Sequence, residues 1–255
     1  MKQHSVIIVI PARYASSRFP AKVLADLQGM PVLEHVYRRA LESRLADRVV
    51  IATDHHEILE RARSFGAEVI MTSENHPSGT DRIAEVAKSL DYDIIVNVQG
   101  DEPLIRGEMI DAVIELLTQD PEAHMGTLVK KIEDPKEYLD PNVVKVTFDR
   151  RGYALYFSRA PIPFVRDRIV DYKLPDGFSP RYCYKHIGLY SYKRDILLRL
   201  SSLPQVEIEK SEKLEQLRAL YYGYRIKVRE TTYETIGVDT PEDLERVKKW
   251  LSTSS

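Results

Sequence analysis

The chain has 255 residues, 43% hydrophobic and 30% charged, enough apolar matter for one large domain, or one domain with a lobe, that folds without disulfide or metal staples. Its 37 basic and 39 acidic side chains leave a formal net charge of −2, so no global field favours nucleic acid or an anionic membrane and any anion site must be local. A single cysteine, Cys183, excludes an internal disulfide, and no apolar run has the length of a membrane span or the form of a signal peptide, so a cytoplasmic protein is expected.

Residues 6–10 are an apolar run of the buried-strand type, and the loop that follows carries Arg13, Arg18 and Lys22. Ligands of open α/β sheets bind beyond the carboxyl ends of the strands, where such forks and point charges meet phosphate oxygens. The competing reading is a solvated surface loop. No glycine occurs between Met1 and Gln28, which excludes a Walker A loop or a G-x-G-x-x-G fingerprint there. A helix is predicted over 31–45 with Pro31 in its first turn, then a strand at 49–53, a helix at 57–65 and a strand at 68–71. This rhythm predicts βαβ units and a parallel sheet. His55 and His56 do not face one another as an i, i+4 pair would, and are expected in solvent.

The loop from His76 to Arg82 carries hydroxyls that suit a base or ribose; as an ordinary turn it would lead to a Thr80-capped helix over 81–90. A buried central strand at 93–98 ends at Gln99-Gly100-Asp101-Glu102-Pro103. From about Met125 the pattern turns to β-type runs at 126–132, 143–149, 152–158 and 185–192, interrupted by a Pro- and Asp-rich stretch at 161–180. Residues 214–222 read as helix and 225–229 as strand, and the carboxylates within 207–216 read mostly as a solvated helix face. Thr240 as N-cap, Pro241 at the first helical position and Asp243 in a short capping box announce a final helix over 241–251, with 252–255 expected to fray. Asp101 and Asp239 each follow a strand-like run and are candidates for one Mg²⁺, which takes one or two carboxylates and fills its octahedron with phosphates and water. Each also has a plain structural reading, as a turn residue and as a residue before a helix.

Six stretches together carry a resemblance: Pro11-Ala12-Arg13 through Lys22, Ser78-Gly79-Thr80-Asp81-Arg82, Asn97 to Pro103, Gly152 to Arg159, Leu214-Glu215-Gln216-Leu217-Arg218, and Gly237 to Leu244. They resemble the 3-deoxy-manno-octulosonate (Kdo) cytidylyltransferases, the CMP-Kdo synthetases, from Val6 to Trp250. The resemblance implies an α/β chain with the three-layer α/β/α sandwich of the nucleotide-diphospho-sugar transferase (Rossmann-like) fold and a smaller β-rich lobe for dimerisation and sugar binding. The chain would be one domain, residues 1–125 forming the nucleotide half and 126–255 the sugar and dimer half. It implies transfer of CMP from CTP to Kdo with release of diphosphate, for lipopolysaccharide synthesis, with Mg²⁺ and as a homodimer.

Carried onto this chain, the resemblance implies that Arg13, Arg18 and Lys22 hold the triphosphate beside Pro11 and Ala12, with Lys22 near the α-phosphoryl group. Asp101 and Asp239 would bind Mg²⁺ and, with Lys22, form the catalytic set. Ser78, Gly79, Thr80, Arg82 and Gln99 would surround cytosine and ribose. Arg159, His186, Tyr190, Glu215 and Gln216 would line the sugar site, with Arg159 and His186 suited to a carboxylate and Glu215 and Gln216 to hydroxyls. Three positions depart from the commoner pattern: Ala21 stands where Gly is usual, Val23 where Pro is usual, and Pro77 where many members have Gln. Within the enzyme class the alternatives are 8-amino-Kdo or an N-acylneuraminate as acceptor; outside it, a non-catalytic nucleotide-binding regulator or a structural interaction module.

Overall fold

A computed structural model describes residues 4–15, 18–166 and 182–253. The first half runs β1 (Val6–Ala12), a 3-10 turn (Lys22–Leu24), β2 (Asp26–Leu27), β3 (Met30–Pro31), α1 (Val32–Ala40), β4 (Arg48–Thr53), α2 (His56–Ser64), β5 (Val69–Met71), α3 (Gly79–Ser89), β6 (Ile94–Asn97) and α4 (Gly107–Gln119). The second half runs β7 (Met125–Lys131), α5 (Pro135–Leu139), β8 (Lys145–Phe148), β9 (Ala154–Ser158), β10 (Tyr184–Lys193), α6 (Arg194–Leu200), α7 (Glu207–Glu212), α8 (Gln216–Tyr221), β11 (Ile226–Glu230) and α9 (Pro241–Thr253).

The main sheet has the order β11-β7-β10-β6-β1-β4-β5, with β8 and β9 continuing from β10. Strands β6, β1, β4 and β5 are parallel, as the βαβ rhythm predicts, and β10 enters antiparallel between β6 and β7. Alternation along β1 feeds two cores. Ile8 and Ile10 pack with Val36 of α1, Ile58 of α2 and Ile110 of α4 on one face, while Ile7 and Val9 pack with Ile83 of α3, Leu197 of α6 and Leu217 of α8 on the other. The result is a three-layer α/β/α sandwich. Cys183 is buried, as expected of a small core residue.

Several boundaries differ from expectation for local reasons. The helix predicted over 31–45 stops at Ala40, because the Asp111 carboxylate captures Ser43 Oγ and the Arg44 and Leu45 amides in a turn. Helix α3 starts at Gly79 and its cap is Ser78, whose Oγ accepts from the Asp81 amide; Thr80 is therefore not the cap. Helix α9 has the expected reciprocal box: Thr240 Oγ1 accepts from the Asp243 amide, and Asp243 accepts from the Thr240 amide. It continues to Thr253, past the predicted end at 251. The carboxylates of 207–216 do not form one solvated face. Lys213 takes a left-handed conformation that breaks the segment into α7 and α8, and Glu209 is buried against Arg218 at 2.5 Å. Within the Pro- and Asp-rich stretch, residues 167–180 lie outside the described residues, as do Ser16 and Ser17 of the cationic loop and residues 254–255.

Candidate active site

The carboxyl ends of β1 and β6 lie side by side, and Gly100 makes this possible: a Cβ there would come within 2.8 Å of the Pro11 carbonyl oxygen. Asp101 therefore emerges directly beside the cationic loop. The loop closes on itself through a hydrogen bond from the Ala21 amide to the Tyr14 carbonyl, 3.0 Å, and Ala21 takes φ +52°. That is the left-handed region that glycine enters without penalty, so the departure noted at this position is a real backbone constraint. Tyr14 is further stacked on His55, ring centroids 3.9 Å apart, and His55 Nδ1 caps α2 by accepting from the Glu57 amide. His55 thus holds loop and helix together, while His56 is exposed, as expected.

Lys22 is the hub. Its Nζ donates to an Asp101 carboxylate oxygen and, at 2.6 Å, to Asp239 Oδ1, while Arg18 reaches Asp239 Oδ2 at 2.8 Å. The Val238 amide donates to the Asp101 carbonyl at 2.8 Å, so the segment before α9 lies against the end of β6 and brings in its aspartate across 138 positions of sequence. Burial alone would lower the Lys22 pKa, but the Asp101 and Asp239 carboxylates outweigh it and hold the ammonium above its ordinary value. Asp239 is pulled the other way: burial would raise it, yet Lys22 and Arg18 keep it below the usual carboxylate range. Arg13 is exposed at the rim, and Pro11, Gly79 and Gln99 complete this cationic cleft. Ala12 is buried within β1 and does not line it.

A second cavity opens beside the first and shares Gln99 with it. Thr80, Asn97, Tyr190, Tyr192, Glu215 and Gln216 line it. Glu215 accepts from Thr80 Oγ1 at 2.5 Å and lies 3.1 Å from Ser78 Oγ, so the hydroxyl loop and α8 are joined at the carboxylate between them. The Tyr190 hydroxyl is buried here with no hydrogen-bond partner among the described residues.

Not every expected residue joins these cavities. Arg82 is fully buried and points inward, held by Asp54 at 2.5 Å and by Thr72, so it does not line the cleft as expected of a nucleotide contact. Arg159 is tied to the Glu212 carbonyl at 2.7 Å and the Pro141 carbonyl at 2.9 Å, and His186 lines a neighbouring cavity with Lys185 and Glu234, its ring 5.1 Å from that of Tyr190. Burial pushes the His186 imidazole down to about 3, so the ring is neutral at pH 7 and faces its cavity as an uncharged hydrogen-bonding group.

Two site residues escaped the sequence reading. Tyr192 shares the face of Tyr190 two positions on and hydrogen-bonds with Thr80 and Asn97, a relation that strand periodicity alone could have revealed. Glu102 sits behind Asp101 with Oε2 unpartnered among the described residues. Burial, then the charges of Asp101 and Asp239, push it up to about 8.

A doubly covered sheet with a phosphate-type cleft at the strand ends defines a nucleotidyltransferase-like protein, and residues 7–230 match the family Cytidylyltransferase. The same fold occurs in a putative glucose-1-phosphate thymidylyltransferase from Bacillus anthracis, 14% identical over 96% of this chain and 94% of that one, with a TM-score of 0.65. Relatives named 3-deoxy-manno-octulosonate cytidylyltransferase include those of Geobacter sulfurreducens, 53% identical over 97% of this chain and 99% of the relative, and Solibacter usitatus, 54% identical over 98% and 95%. A solved CMP:2-keto-3-deoxy-manno-octonic acid synthetase complexed with CTP is 40% identical, covers 98% of this chain and 100% of its own, and superposes with a TM-score of 0.90. The chain belongs to the 3-deoxy-manno-octulosonate cytidylyltransferase branch of the cytidylyltransferase family.

Proposed function

We propose that this chain transfers CMP from CTP to Kdo with release of diphosphate, supplying the activated sugar for lipopolysaccharide synthesis. The observation that supports it most directly is that Lys22, Arg18 and Asp101, beyond the adjoining ends of β1 and β6, converge with Asp239 from the non-strand segment before α9, beside a hydroxyl-rich cavity that shares Gln99 with the cleft. Arg13 and Arg18 would take triphosphate oxygens as charge-assisted donors, and Lys22 would offset the charge that grows on the α-phosphoryl oxygens during in-line displacement. Tyr190, Glu215 and Gln216 would hold and orient the sugar.

The donor set fits Mg²⁺. Two carboxylates meet at one ammonium, and among the described residues no group of three His, Cys, Asp or Glu side chains forms an all-protein cage. Mg²⁺ asks for the former and completes its shell with phosphates and water. Asp101 and Asp239 would hold it, where it would lower the pKa of the attacking hydroxyl and neutralise phosphate charge. The exposed side chains of Leu155 and Tyr156 on the edge strand β9 support a homodimer through this lobe. No helix among the described residues is long and apolar enough to cross a membrane, and small polar substrates with a lone reduced cysteine are consistent with work in the cytoplasm.

The test is diphosphate release by the purified protein with Mg²⁺ and CTP, comparing Kdo, 8-amino-Kdo, N-acetylneuraminate and no acceptor. Release that requires Kdo is expected; release with N-acetylneuraminate alone, or with no acceptor, would overturn the assignment.

A further inference from the structure

Strands β7 and β10 pair antiparallel, but the register shifts between Ile187 and Tyr190. At this bulge the carbonyls of Ile187 and Leu189 both turn onto Thr127 Oγ1 of β7, at 3.1 and 2.8 Å. Thr127 is fully buried, and His186 Nε2 lies 3.0 Å from the same hydroxyl oxygen. A hydroxyl has one proton, and a carbonyl can only accept it. With two carbonyls competing for that proton, the hydroxyl turns a lone pair to His186, and Nε2 must supply the hydrogen. A neutral imidazole carries one N–H, so Nδ1 is left as a bare acceptor. Burial keeps the ring neutral at pH 7. Phe157, edge-on at 5.2 Å, and Tyr190, tilted at 5.1 Å, restrain it from turning over.

Resting on the reaction proposed above, we infer that Thr127 fixes His186 as the Nε2–H tautomer, so that the part of the acid sugar that passes Tyr190 into the cavity His186 lines meets an acceptor there, which selects a donor group, hydroxyl or amine, rather than the carboxylate. Thr127 is then a positioning residue for acceptor recognition, acting through His186 and through the bulge that joins His186 to Tyr190. Nδ1 has no protein hydrogen bond among the described residues, and the ring lines an open cavity.

The test is ¹⁵N NMR of histidine-labelled full-length protein at pH 7. His186, assigned by comparison with His186→Gln, should show a protonated Nε2 and an unprotonated Nδ1 whose signal moves when Kdo is added. An Nδ1–H tautomer, an imidazolium, or an Nδ1 signal unmoved by saturating Kdo with CTP would overturn the inference. In Thr127→Val the tautomers should mix and KM for Kdo should rise about 5- to 10-fold with KM for CTP unchanged, and Thr127→Ser should restore both. An unchanged KM for Kdo in Thr127→Val would remove the positioning role. Should that variant fail to fold, the tautomer of the parent and the serine variant still decides. Absence of turnover with Kdo would count against the proposed reaction and leave the tautomer result standing, so the two failures are distinct.

Discussion

Ala21 is the residue at which this chain bears a local cost for its cleft. A methyl group at φ +52° is held in place by the loop closure to Tyr14 and by the turn that delivers Lys22. Ala21→Gly is expected to be tolerated or mildly stabilising, whereas Ala21→Val should cost about 1–2 kcal/mol, because a β-branched side chain suits that region worst. Urea unfolding of the two variants checks this, and equal stabilities would show that the loop relaxes. At Asp101 and Asp239 the expected outcome concerns turnover: Asp101→Asn and Asp239→Asn should each lower kcat by about 100-fold or more while the thermal midpoint stays near that of the parent. Normal turnover in either would remove that residue from the chemistry. Which cations belonged to the cleft was legible for Arg18 and Lys22, since charges directly after a buried strand have few other places to go. Arg82 was not, because a cation in the first turn of a helix carries the same spacing whether it points to solvent or inward to Asp54.

Among elements, the parallel strands were readable from unbroken apolar runs, and α9 from its capping box. Helices α4 and α6 were not predicted, although α4 buries Met109, Ile110, Val113 and Ile114 at helical spacing. Their N-cap residues are Arg106 and Lys193, neither of which makes a side-chain cap, so the usual start signal is missing. Asp120, at the C-terminus of α4, ties that end of the helix to the sheet: it accepts from Lys227 of β11 at 2.8 Å and from the hydroxyl of Tyr153, just before β9, at 2.7 Å. Those hydrogen bonds pull its carboxyl down to about 2. A pKa depressed in the folded state stabilises above the unfolded value near 3.8 and is lost as pH falls toward 2. Asp120→Asn should therefore cost about 2 kcal/mol at pH 7, with the deficit shrinking between pH 4 and pH 2. A deficit that does not change over that range, measured by denaturant titration, would assign the cost to packing instead.

At the scale of the whole molecule, the sheet is completed out of order. β10 inserts between β6 and β7, and the segment leading to α9 returns to the end of β6 with Asp239. Strand order and β10's direction are decided by long-range pairing, which single-sequence periodicity does not encode, so the first half was the more legible. The site spans both halves, and a ligand bound across it should tie them together. CTP with Mg²⁺ at about 100 times Kd should add about 2.7 kcal/mol and raise the melting midpoint by roughly 5–10 °C. CTP without metal, or with Asp239→Asn, should recover only part of that shift in differential scanning fluorimetry. Equal shifts in all cases would mean that nucleotide binding does not use the two aspartates.

The lysine seated between Asp101 and Asp239 also bears on the sequence of events. A divalent cation that came alone to these two carboxylates would find them already claimed by a tethered ammonium and would have to evict it. A triphosphate would offer that ammonium somewhere better to go, and Lys22 moving toward phosphate would uncover the carboxylates. With the metal held as proposed, the resting protein would be latched against loading by metal alone, and the nucleotide would be its key.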